Sequence, residues 1–124
     1  RGGEVLDMIQ AMNTGHDGSL STGHGNSPEG MMRRIEAMFL QAADFPVDAI
    51  RSQIAEAIDI IVHLGRLADK SRKVLEIAEI EGYCDDKIII NPLFKYKIND
   101  NKLHATGNHL KNTLKLEMNG IEIC

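Results

Sequence analysis

The sequence predicts an α/β chain in which helices come first and mainly antiparallel strands follow. Three observations carry this. Apolar residues recur at helical spacing up to about residue 57. From Ile58 the β-branched residues crowd together and the period shortens to that of strands. Short, charged or glycine-containing turns join the later segments as hairpins. The pattern is α/β turning antiparallel at one edge, with too few parallel strands for a complete doubly wound sheet.

Each element has its own warrant. Val5, Met8, Ile9 and Met12 lie on one face of a first helix. Asn13-Thr14-Gly15 is its stop, with Gly15 able to turn left-handed. Gly18-Ser19-Leu20-Ser21-Thr22 reads as a short buried strand of small residues. Gly23, Gly25 and Asn26 make the loop after it. Ser27-Pro28-Glu29 starts a second helix: Ser27 caps, Pro28 suits the first helical position, and Glu29 favours the positive end of the dipole. Met31, Ile35, Met38 and Phe39 are its apolar face. Phe45-Pro46 breaks it and opens a third helix. There Val47, Ile50, Ile54 and Ala57 face inward, while Asp48, Arg51 and Glu56 look outward.

Ile60 to Leu64 reads as a strand buried on both faces. Residues 66–72 are a charged turn, and Lys73 to Ile80 is the partner strand of a hairpin. Glu81 to Asp86 is a further turn around Gly82. Ile88-Ile89-Ile90 is β-like, and Phe94, Tyr96 and Ile98 alternate with Lys95 and Lys97 as a half-exposed strand. Asn99-Asp100-Asn101 is a turn. In the tail, Leu110, Leu114 and Leu116 are candidates to pack, on a mixed period.

Composition bounds the function. The 124 residues suit one domain or a piece of one. Fourteen basic residues stand against 18 acidic ones, which argues against nucleic acid as the main partner. Cys84 and Cys124 form neither a disulfide framework nor a zinc spacing. No apolar run approaches the roughly 18 residues of a membrane span. The first residue is Arg, and Arg1-Gly-Gly-Glu4 reads as the interior of a longer protein.

The triplet Thr-Gly-His stands at 14–16 and again at 22–24. His16, Asp17 and His24 are metal-ligand types. Extended, the two histidines would lie roughly 26 Å apart at about 3.3 Å per residue, and no further ligand has a recognised spacing. A phosphate sensor is a second reading: small residues let backbone approach a ligand, and a histidine just past a strand end sits where open α/β sheets bind. A third is a loop histidine bonded to backbone or water.

A resemblance weighs on that choice. Arg1-Gly-Gly-Glu4, a helix, and Thr14-Gly-His-Asp-Gly-Ser-Leu-Ser-Thr-Gly-His-Gly-Asn-Ser27 resemble the region after the Walker B strand in secretion ATPases. The likeness continues through residues 37–42, 51–62 and 72–77, strongly to about residue 80 and loosely to 116. More closely, the chain resembles the CpaF-type ATPases of the type II/type IV secretion superfamily, which power assembly of tight-adherence (Flp) pili. The resemblance implies the C-terminal half of a RecA-like P-loop ATPase domain spanning residues 1–124. Residues 1–57 would hold the helix after Walker B, the His-box segment and two helices; residues 58–124 would be the strand-rich part.

It also implies roles. His24 takes the place of the His-box histidine that senses or orients the γ-phosphate, and Glu4 that of an acidic residue shortly after Walker B. Arg1, His16 and Thr22 fall in nucleotide-proximal motifs, and Arg51 or Arg66 would reach a neighbour's nucleotide. ATP and Mg²⁺ are the implied cofactors; the implied partners are a homo-hexamer and an inner-membrane platform protein, with no nucleic acid. The implied location is cytoplasmic, at the inner face of the membrane through those partners.

No G-x-x-x-x-G-K-[ST] occurs in the 124 residues, so this stretch alone is expected to be inactive and the parent active. A non-enzymatic remnant or regulatory interaction module is the alternative. One departure stands out: the hairpin tip has Lys70 where the family's turn has glycine.

Overall fold

The structure is a computed structural model and describes residues 9, 22–23, 25–42, 44–118 and 120. Two helices, α1 (Pro28–Ala42) and α2 (Val47–Ala57), precede four strands: β1 (Ile60–Arg66), β2 (Arg72–Cys84), β3 (Lys87–Lys97) and β4 (Lys102–Ala105). A short helix α3 (Leu114–Met118) follows. The strands form one sheet in the order β1-β2-β3-β4, and every neighbouring pair is antiparallel. The helix-then-strand order matches the expectation; the sheet is antiparallel throughout the described residues, not at one edge alone. Of the expected first helix, only Ile9 is described, and it is helical and buried. Of the expected strand at 18–22, only Thr22 is described, and it has no regular structure.

The helices form where their signals stand. Gly30 N–H donates to Ser27 Oγ at 2.9 Å, the cap that the sequence marks. Pro46 precedes α2, and its carbonyl accepts the first helical hydrogen bond, from Ile50 N–H. Alternation puts Ile61, Ile80 and Ile90 on one face of the sheet, and there the core forms. Ile9, Met32, Ile35, Phe39, Ile50, Ile54, Ala55 and Ile80 are its buried members. Met31 and Met38 are only partly buried, and Met32 takes the deeper place. Val47 is 38% exposed and does not join the face assigned to it.

Three expectations on the strands need correction. β1 is not buried on both faces: Ile60, Val62 and Leu64 are 43%, 51% and 62% exposed. The helices cover only the other face, and β1 is an edge strand. Residues 81–84 are not a turn but the end of β2, where Gly82 sits at a register shift with φ +155°. The turn is the two-residue Asp85-Asp86, both left-handed at φ 52° and 63°, as a type I′ hairpin requires. Finally, residues 88–90 and 94–97 belong to one strand, which runs through Pro92 at another register shift.

Lys70 adopts φ +68° at the β1–β2 turn, so the chain folds the glycine conformation with a lysine. Asp69 supports this turn by accepting from Ser71 N–H and Oγ–H at 2.9 and 2.6 Å. Those hydrogen bonds, the hydroxyl's first, hold the Asp69 carboxyl below its usual range. Lys70→Gly is expected to raise stability by about 0.5–1 kcal/mol in a chemical denaturation curve, by relieving the left-handed β-carbon. An unchanged or lower midpoint would show that the turn is unstrained.

The face opposite the helices carries a polar junction. Glu79 is 1% exposed, and its carboxylate accepts from Lys111 N–H (2.8 Å), Asn112 N–H (2.8 Å) and Asn91 Nδ2 (3.1 Å). Asn91 also donates to the His109 carbonyl, and Asn112 to the carbonyls of Ile80 and Glu81. Thr106 Oγ1 and Asn108 Nδ2 donate to the Pro92 carbonyl at 2.7 and 2.9 Å. Residues 106–112 thus lie as a strap across β2 and β3, tied by hydrogen bonds; Leu110 is half-buried in it, while Leu114 beyond it is 67% exposed.

Candidate functional site

The loop before α1 is built around close backbone approach. Thr22, Gly23, Gly25 and Asn26 are exposed and lack regular structure. A β-carbon on Gly25 would stand 3.2 Å from the N, Cα and Cβ of Met31, so the loop lies directly on the first turn of α1. A side chain there would have to move helix backbone, which is why glycine stands at this position. Ser27 then closes the helix end, its carbonyl accepting from Met31 N–H at 2.9 Å. Any displacement of residues 25–27 therefore bears on the rigid end of α1. Arg1, Glu4, His16 and His24 lie outside the described residues.

Arg51 does not look outward. Its Nη2 and Nε lie 3.0 and 3.1 Å from Glu36 Oε1 on α1, and its Nη1 donates to the Asp86 carbonyl at 3.1 Å. One guanidinium thus joins α1, α2 and the β2–β3 turn. The Glu36 hydrogen bond, more than any other interaction, raises the Arg51 pKa above its usual value. Helical periodicity gave Arg51 to the outer face of α2; the partner that turns it inward lies 15 residues away, on α1. Arg33, Ala37 and Leu40 complete an open cleft with these two residues. Gln53, two residues on along α2, is half-buried.

Beside this tie, Tyr83 Oη donates to Asp48 Oδ1 at 2.7 Å, with Asp86 Oδ1 at 3.4 Å. The Asp48 hydrogen bond is the main cause of a phenol pKa pushed up to about 12, with burial and the nearby carboxylate charges adding to it. The folded state holds this proton more tightly than the unfolded chain, whose phenol titrates near 10. Stability from this group is therefore complete below pH 10 and is lost as pH rises toward 12. In a Tyr96→Phe variant, which leaves Tyr83 as the one tyrosine, absorbance titration should give a midpoint at about 12. A midpoint near 10 would mean that the Asp48 bond does not persist in solution.

Arg66 ends β1, exposed, at the opposite end of the sheet from Asp85-Asp86. One chain therefore does not bring Arg51 and Arg66 to a common point. Among the described residues no cluster of three histidine, cysteine or acidic side chains could hold a metal ion. The sequence holds no phosphate loop, and among the described residues the segment before α1 offers one capped helix end.

Residues 1–115 match the family model described as "Type II/IV secretion system protein". The conjugal transfer protein TrbB of Rhizobium radiobacter is 37% identical over 83 residues, covering 67% of this chain and 24% of that protein. The type IV secretion system protein PtlH of Bordetella pertussis is 34% identical over 87 residues, covering 66% of this chain and 26% of its own. An uncharacterised protein of Methanocaldococcus jannaschii is 30% identical over 108 residues, 86% of this chain and 38% of that one. The chain spans about a quarter of the length of TrbB and PtlH.

Proposed function

The chain belongs to the type II/IV secretion system protein family, and from that premise we propose that it is the C-terminal part of a RecA-like motor domain in a secretion ATPase. Its parent couples ATP hydrolysis to protein export or to assembly of a Flp-type pilus, as a homo-hexamer against an inner-membrane platform protein. ATP and Mg²⁺ would be held mainly by a phosphate loop elsewhere in that parent. The observation that carries this reading is the family match over residues 1–115, which takes in the whole Thr14–Ser27 segment and the capped helix behind it.

Within the proposal, this chain's part is transmission. In the sequence His24 falls between Gly23 and Gly25, the two glycines that approach Met31 of α1. A change at that histidine would shift residues 25–27 and, with them, the end of α1. Arg51 would carry the shift on, because its guanidinium holds Glu36 of α1 and the β2–β3 turn together. A loop that bends joined to a helix that does not is a workable coupling element. Arg66, free of that tie and exposed, is the better placed of the two arginines to reach a neighbouring subunit. Arg1, Glu4, His16 and Thr22 complete the proposed nucleotide-facing set.

The names of the relatives favour a second reading of the cargo: TrbB is a conjugal transfer protein and PtlH a type IV secretion protein. The first experiment is to sequence upstream of the Arg1 codon and assay the complete product. An in-frame G-x-x-x-x-G-K-[ST] and an ATPase activity that His24→Ala abolishes would support the motor. A complete product with no such loop and no phosphate release would leave the non-enzymatic module. Deleting the gene then separates cargoes: loss of surface pili supports Flp assembly, and loss of plasmid transfer alone supports the conjugal reading.

A further inference from the structure

The antiparallel order places the β1–β2 turn and the β3–β4 turn at the same end of the sheet. Residues 66–73 and 95–102, which form that end, hold seven basic side chains and two carboxylates, in a chain of formal charge −4. The arrangement is more unusual than the count. Arg66 stands directly opposite Arg72, and Lys97 directly opposite Lys102. Like charges so paired across strands destabilise a hairpin, and here both hairpins do it at the same end.

None of the four enters an ion pair among the described residues. The two local carboxylates bond other groups: Asp69 accepts from Ser71 and feels the charge of Lys73, and Asp100 accepts from Lys102 N–H while holding the His104 ring at 2.5 Å, so two carboxylates stand against seven cations. Glu76 stands opposite Lys95, further down the strands. Beside Lys97, Ile98 projects from the turn with 77% of its surface exposed.

We propose that this end of the sheet rests directly on an anionic phospholipid surface. Cationic pairs without an ion-pair partner gain most from an external anion, and a planar anionic surface can meet two hairpin tips at once. The isoleucine decides between anions. A phosphate backbone of nucleic acid offers it no apolar environment, whereas the headgroup–acyl boundary does. Among the described residues no helix is long and apolar enough to cross a membrane. This inference shares Arg66 with the motor reading but uses neither His24 nor a nucleotide, and its test leaves Arg66 unchanged.

The test is co-sedimentation of the full protein carrying this chain with phosphatidylcholine vesicles, with and without phosphatidylglycerol. Binding is expected only with phosphatidylglycerol, and is expected to fall as salt rises. The double variant Lys97→Gln, Lys102→Gln should bind about tenfold more weakly or worse. Because it also removes a repulsion, its thermal midpoint should stay level or rise, which separates lost binding from lost folding. Ile98→Ser should weaken binding several-fold, and Glu56→Lys, on α2, should not weaken it. Equal binding to both vesicle types, or unchanged binding by the double variant, overturns the proposal. So does a double variant that changes oligomer size while vesicle binding persists, which would make this end a contact between copies. A site that also holds a DNA duplex and is indifferent to Ile98→Ser would be a general polyanion surface, and the proposal would fall.

Discussion

Replacing Glu79 with leucine should cost roughly 3–5 kcal/mol of folding stability, although it exchanges a carboxylate for an apolar group at a buried position. The usual expectation for such a swap in a core is near neutrality. Here the carboxylate is the acceptor for two backbone N–H groups of the strap and for the Asn91 amide. Leucine would leave the Asn91 amide buried and unmatched and the two strap N–H groups unmatched in a partly buried place, at up to about 1–3 kcal/mol each, with relief where water reaches the strap. Chemical denaturation measures the loss. Hydrogen exchange locates it: the Lys111 and Asn112 amides should lose protection while those of β1 keep theirs. Glu79→Gln tests the same point with less disturbance, because it keeps one acceptor oxygen. A leucine variant within about 0.5 kcal/mol of the parent would show that the strap contributes little.

Phe39→Ala should be of similar size, about 3–5 kcal/mol, for a different reason. Phe39 has no exposed surface and lies in the core that joins α1 to α2 and to Ile80 of the sheet. Its ring also meets Phe45 at a centroid distance of 6.0 Å, across the break between the helices. Truncation removes the largest fully buried side chain among the described residues and leaves a cavity that two helices cannot close without moving. Phe39→Leu should recover more than half of the loss. If α1 carries the signal proposed for it, the alanine variant of the full protein should also lose ATPase activity at temperatures where it remains folded. A Phe39→Ala variant less than about 1 kcal/mol below the parent would mean that α1 is held by something other than this core.

The two predictions divide what the sequence revealed from what it concealed. Phe39 was visible as a core residue, because helical spacing depends on neighbours three and four places away. For the same reason the Ser27 cap, the Pro46 break and the turns at 67–71 and 99–101 could be read. The Glu79 junction could not. Its partners lie 12, 32 and 33 residues along the chain, and a glutamate within a strand gives no local sign of burial. Arg51 was hidden in the same way by its partner on α1. The reading of β1 failed through an assumption about surroundings: a β-branched run fits burial on two faces, yet the structure supplies cover on one. Of the candidate site, the glycines and the cap were legible from residue type, whereas the arginine tie needed the packing of three elements.

The strand order has a consequence for how the chain acquires its shape. Each strand pairs with the one made just before it, across turns of a few residues, so every pairing closes a short loop and loses little loop entropy. Contact order in the sheet is therefore low, and low contact order goes with rapid folding. Made from its N-terminal side, the chain can add strand upon strand as each emerges, with Asp85-Asp86 and Asn99-Asp100-Asn101 as successive reversal points. Glu79 must wait longest. Its carboxylate enters the sheet when β2 pairs, some thirty residues before the amides of Lys111 and Asn112 exist to receive it. Until then it stays hydrated, so the strap is the last piece to lock. In pulse-labelled exchange during refolding, the β2–β3 amides should gain protection before those of residues 111 and 112.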